Sequence, residues 1–131
     1  MNLSNNYTKS FITALMALLL SACSDFNVQD IATEKVTFDL SQLDADGLYG
    51  PVDGKQALSY EFCIPASPDN IAQVLAIDST AIVYRHSPGR EQCTQSQLLV
   101  VGNTHQDNHR ATLEALAQLE YVTRISQTFF E

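Results

Sequence analysis

Leu58, Tyr60, Phe62 and Ile64 alternate with Ser59, Glu61 and Cys63, and Pro65 closes the run. Alternation with a period of two makes a strand that is apolar on one face and mixed on the other. The apolar face must be covered, and the following residues offer a helix to cover it. Ser67 precedes Pro68 and Asp69, which places an N-cap, a first-turn proline and an early acid in the order a helix start prefers. Ile71, Val74, Leu75 and Asp78 follow at helical spacing, and the three apolar residues among them are expected to face a core.

The rest of the chain repeats this grammar. Residues 81–86 are a β-branched run, and Ser87, Pro88, Gly89 and Arg90 predict a type II turn. Residues 97–101 are a second apolar run ended by Gly102. Thr104 with Asp107 resembles a capping box, Leu113, Leu116 and Ala117 make a helical stripe, and residues 122–130 read as a last strand. Strand, helix, strand, strand, helix, strand is the order of an α+β ferredoxin-like split βαβ sandwich. That plan has a four-stranded antiparallel sheet with two helices on one face. Right-handed crossovers put its first and third strands side by side in the centre, and the face carrying Ser59, Glu61 and Cys63 is expected to be open.

Upstream, the first nine residues are polar with Lys9 as their only charge, and the ten residues from Phe11 to Leu20 are apolar. This is a secretory n-region and h-region, about half the ~20 residues a membrane span requires. Leu20-Ser21-Ala22-Cys23 follows and resembles the lipobox of bacterial lipoprotein precursors. That resemblance implies acylation of Cys23, cleavage before it, and a bilayer anchor of three acyl chains including an amide-linked palmitate-type chain. Each buried methylene contributes ~0.8 kcal/mol, so such an anchor is effectively permanent. Ser24 in the following position implies the outer membrane, facing the periplasm. The expected organisation is a signal peptide over 1–22, an acidic tether over 23–54 and an α+β domain over 55–131. Tyr60, Phe62, Cys63, Ile64 and Pro65 also resemble a stretch found in a family of bacterial lipoproteins, a likeness that carries no activity with it.

The chain has a formal charge of −8, and loss of Lys9 makes the processed form one unit more negative. Nucleic acid is excluded as an expected partner, because phosphate binding needs a basic patch. Acids crowd the tether, with Asp25, Asp30, Glu34, Asp39, Asp44, Asp46 and Asp53 against Lys35 alone. Within it, Val36, Phe38 and Leu40 alternate with polar residues and suggest a short strand. Asp44, Asp46 and Gly47 suggest a calcium loop but fail its spacing, since the glycine falls at the fourth position and Lys55 at the twelfth.

Once Cys23 is lipidated, Cys63 and Cys93 remain. The compartment is oxidising, and the topology puts both at one end of neighbouring strands, so a disulfide is expected. Metal-carrying domains of this fold place a Cys-x-x-Cys after the first strand, whereas this chain has Cys63 and then Ala66 three positions on. His105 and His109 sit four apart near a helix start and could offer two imidazoles to a metal, with His86 at the opposite end of the sheet; all three are read as solvated. Arg85, His86 and Arg90 are the only local cluster of positive charge, and they suit a carboxylate-bearing partner. No nucleophile elbow occurs. The expected function is therefore a membrane-anchored binding module for a protein or cell-wall partner, with no cofactor. The alternatives are a metal-dependent factor or enzyme using His105 and His109, and an inhibitor or chaperone-like module by analogy with the propeptides of subtilisin-type proteases.

Overall fold

The computed structural model describes residues 34–130. After a turn of 3-10 helix at Leu40–Gln42 come β1 (Leu48–Tyr49), β2 (Gln56–Ala57), β3 (Ser59–Pro65), α1 (Pro68–Ile77), β4 (Ile82–Tyr84), β5 (Gln97–Asn103), α2 (His109–Gln118) and β6 (Ser126–Thr128). The architecture is α+β. No helix among the described residues is long and apolar enough to cross a membrane.

The alternating run becomes the axis of the main sheet. β3 pairs antiparallel with β5 along its whole length, from Ser59 opposite Asn103 to Pro65 opposite Gln97, and with β6 over Ser59, Tyr60 and Glu61. β4 adds antiparallel to β5, so the four-stranded order is β4-β5-β3-β6. β1 and β2 make a separate two-stranded hairpin. The last strand is shorter than its apolar run, because Val122 and Ile125 are consumed by the core before β6 begins.

Tyr60, Phe62 and Ile64 of β3 share one buried cluster with Leu98 and Val100 of β5, Val74 of α1, and Leu113, Leu116 and Ala117 of α2. Leu75 does not join it and is 45% exposed. The helix turns positions 71, 74 and 78 inward instead, and the place expected of Leu75 is taken by Asp78, which is fully buried. The capping box does not form either. α2 starts five residues later than Thr104, with Asn108 as its N-cap in the left-handed region. Thr104 is buried because its hydroxyl has another task, accepting from the Leu58 N–H at 3.0 Å and donating to the Gly47 carbonyl at 2.5 Å.

The boundary expected at residue 54 is not a structural one. Val36 bridges Ile125 in parallel, Phe38 stacks on Tyr60 at 6.3 Å, and Leu43 is buried in the main core. Only that single bridge forms where a strand was expected around Val36 and Phe38. Asp44 organises the following turn. Its carboxylate pairs with Lys55 at 2.6 Å and accepts from the Asp46 and Leu48 N–H groups. Lys55 and those N–H groups together hold the Asp44 carboxyl down at about 2. Gly47, at φ +74°, then lies so close to β5's end that a Cβ would overlap the Thr104 carbonyl oxygen. Residues 34–54 are thus part of the fold, because their apolar side chains close the core that β3 opens. The earlier part of the expected tether, before residue 34, lies outside the described residues, as does the whole signal segment with Cys23.

Candidate functional site: a disulfide-held strap and its cationic cleft

The second face of the sheet is not open. Cys63 of β3 and Cys93 form a disulfide, with Cα atoms 5.5 Å apart across a separation of 30 residues. Cys93, Leu99 and Val101 make a second buried cluster, with Cys63 packed against it. The segment between β4 and β5 lies over this face as a strap. Pro88 accepts from the Cys93 N–H and Gly89 from the Gln92 N–H, closing a compact turn in which Gly89 has φ +63°. A Cβ on Gly89 would strike the Leu99 side chain and the Glu61 carboxylate, so only glycine lets the strap lie this flat. Glu61 is 3% exposed, and its Oε1 accepts from the Glu91 N–H at 2.8 Å. A carboxylate on the mixed face of β3 therefore pins the strap beside the disulfide.

The strap separates Arg90 from Arg85 and His86. Arg90 reaches towards the β6 edge, where its guanidinium lies 5.7 Å from the Phe129 ring and donates to the Phe129 carbonyl at 3.4 Å. Glu91 meets Arg124 at 3.5 Å on the same side. Arg85 and His86 instead line a cleft of 310 Å³ with Ser87, Thr94, Gln97 and the disulfide's Cys93. Arg85 also borders a second cleft of 250 Å³ beside Ser67, Pro68 and Ile71. Both side chains are exposed, and the ion pairs found among the described residues, Lys55–Asp44 and Arg124–Glu91, involve neither. An uncommitted guanidinium next to an imidazole can take a carboxylate with two charge-assisted hydrogen bonds.

A larger cleft of 730 Å³ lies at the other end of β5, bordered by Asp46, Thr80, His105, Gln106 and Asp107. Its inner wall is already satisfied. Tyr60 donates to Asp78 Oδ2 at 2.6 Å, Thr80 donates to Asp78 Oδ1 at 2.7 Å, and the Gln106 amide donates to Asp78 at 3.0 Å and to the Asn103 carbonyl at 2.8 Å. Burial first, then the Asp78 carboxylate, hold the Tyr60 phenol well above its usual range, so it stays a neutral donor. Asp78, Tyr60, Thr80 and Gln106 thus satisfy one another, while Asp46, His105 and Asp107 stand exposed at the rim. The signal for Asp78 was present in the sequence, since it falls at the core position four residues after Val74.

His105 and His109 do not act as a pair. His105 is exposed and contacts the Asp46 carbonyl through Nδ1 at 3.2 Å. His109, read as solvated, is 4% exposed at the first position of α2, with Nε2 buried and without a hydrogen-bond partner. Its place four residues before Leu113 on the apolar stripe explains the burial. Among the described residues no group of three or more His, Cys, Asp or Glu side chains is arranged to hold a metal ion. Desolvation first, then Arg110, push the His109 imidazole below its ordinary value, with Asp44 opposing. The unfolded chain takes up a proton near the usual value of about 6.5 that the folded chain refuses, so stability falls as pH drops below that point and stops falling once His109 is protonated in the fold. Urea midpoints should be lower at pH 5 than at pH 7, and His109→Leu should flatten the difference while leaving the loss below about pH 4, which belongs to Asp44 and Asp39.

The site thus consists of an uncommitted guanidinium and a neighbouring imidazole on a disulfide-walled cleft. No family model, no curated protein and no solved structure matches the chain.

Proposed function

We propose that the protein is an exported, lipid-anchored binding module that faces the periplasm from the outer membrane and recognises a carboxylate-bearing protein or cell-wall partner through Arg85 and His86. The observation that carries this reading is the unpaired Arg85 guanidinium beside the His86 imidazole on a cleft braced by a disulfide, in a chain whose net charge is −8. A disulfide suits an oxidising compartment, which agrees with the Leu20-Ser21-Ala22-Cys23 lipobox. The strand order β4-β5-β3-β6, with central β3 and β5 antiparallel and both helices contributing to one cluster, supports the ferredoxin-like plan with its helices on one face. Because folded structure begins by residue 34, the anchor allows the domain a reach of at most about 35 Å, ten residues at full extension. The module therefore works close to the membrane surface. Cys23→Ser should move the protein from the membrane fraction to the soluble fraction with its near-ultraviolet circular dichroism unchanged. Retention in the membrane would overturn the anchor. Crosslinked partners captured from cell envelopes should disappear with Arg85→Ala, and their persistence would overturn the role of the cleft.

A further inference from the structure

β4 is an edge strand, hydrogen-bonded to β5 on one side only. Edge strands are usually blunted by charge, proline or a covering segment. Here the edge carries Ile82 at 57% and Tyr84 at 39% exposure. Both stand opposite strap-face residues of β5, Ile82 against Val101 and Tyr84 against Leu99. The chain runs directly from this apolar edge into Arg85 and His86, and Arg85 borders two clefts, one with the strap and one with the start of α1. An extended peptide added to an edge needs unpaired main-chain groups, apolar ground for alternate side chains, and a charged group to fix its register. β4 and Arg85 supply all three.

We propose that β4 accepts an extended peptide as an additional strand, with the peptide's C-terminal carboxylate held by Arg85. The direction follows from the chain, because β4 runs towards Arg85 and a peptide ending there lies parallel to it. Charge complementarity selects an anionic chain end over a cationic one, since Arg85 and His86 have no acidic partner among the ion pairs of the described residues. This inference rests on the carboxylate-recognition reading above and deepens it by naming the ligand.

The test uses the full chain carrying Cys23→Ser, oxidised, and fluorescence anisotropy with an amino-terminally labelled hexapeptide of alternating threonine and valine. Four forms are compared: free carboxylate, C-terminal amide, and two forms N-methylated at odd or at even positions. The free acid should bind saturably below about 1 mM, and the amide about tenfold more weakly, the loss of one charge-assisted interaction. One methylated form should lose at least as much, and amide resonances of residues 82–84 should shift at saturation with the acid, the amide and the permissive methylated form but not with the other. Arg85→Ala should make acid and amide equal. If both methylated forms bind like the parent, the added strand is overturned while the carboxylate reading stands. Should acid and amide bind alike to the unaltered chain, the carboxylate reading falls, and this inference with it. Absence of binding at 1 mM, or self-association of the chain through residues 82–84 that excludes the peptide, overturns the added strand.

Discussion

Removing the disulfide should cost about 3.6 kcal/mol of stability, and it should free the strap before it unfolds the sheet. The magnitude follows from chain entropy, since Cys63 and Cys93 close a loop of 30 residues in the unfolded chain. Two consequences distinguish this from a uniform loss. The strap's remaining ties are the Glu61–Glu91 hydrogen bond, the partly exposed Glu91–Arg124 pair and the Arg90–Phe129 contact. Exposed ties of the last two kinds are worth only about 0–1 kcal/mol each. Without the covalent link they cannot hold the strap against its own entropy, so Leu99 and Val101 should become accessible. In the Cys63→Ala/Cys93→Ala variant, amides of residues 89–93 should exchange rapidly while those of Phe62 and Val100, in the paired centre of the sheet, stay protected. A variant in which all of these amides lose protection together would show that the strap and the sheet form one cooperative unit. Arg85 and His86 should lose ligand affinity in the same variant, because one wall of their cleft is Cys93.

The disulfide was legible in the sequence because it follows from two coarse expectations, strand order and an oxidising compartment. Tyr60, Phe62 and Ile64 announce β3 by their alternation, Ser67 and Pro68 mark the start of α1, and the crossover rule then sets Cys63 beside the segment containing Cys93. The strap was not legible. Pro88 and Gly89 signal a turn, but that the turn folds flat over Leu99 depends on Glu61, a side chain that alternation alone would leave on a solvated face. The same kind of failure hid residues 34–54. Their acidity suggests a solvated tether, yet Phe38 and Leu43 are few and widely spaced apolar residues that find their partners only after Tyr60 and the rest of the core exist. Local pattern reports which face of an element is apolar. It does not report which isolated polar or apolar side chain a distant element will bury. Arg85 and His86 were visible as a charge cluster, whereas their separation from Arg90 required the strap.

Asp78→Ala should destabilise the fold by about 2–4 kcal/mol, because several buried donors lose their shared acceptor. Asp78 is fully buried and takes hydrogen bonds from Tyr60, from the Thr80 hydroxyl and N–H, and from Gln106. Deleting the carboxyl leaves the Tyr60 hydroxyl within a site with no other acceptor of comparable strength, and each stranded buried group costs about 1–3 kcal/mol. The space is fixed by Gly102, where a Cβ would come within 2.5 Å of Asp78 Oδ2 and 2.7 Å of the Tyr60 ring. Collapse around the deletion is therefore limited by β3 and β5, which are paired on both sides of the site. Tyr60→Phe should be milder, about 1–2 kcal/mol, because Asp78 keeps its bonds to Thr80 and Gln106. Combining the two should cost less than the sum of the singles, since the double variant strands no phenol, and a coupling of about 1–3 kcal/mol is the expected signature of the 2.6 Å contact. Strict additivity in urea unfolding would mean that Tyr60 and Asp78 hold the helix to the sheet independently, and that the loss from Asp78→Ala comes from the end of α1 alone.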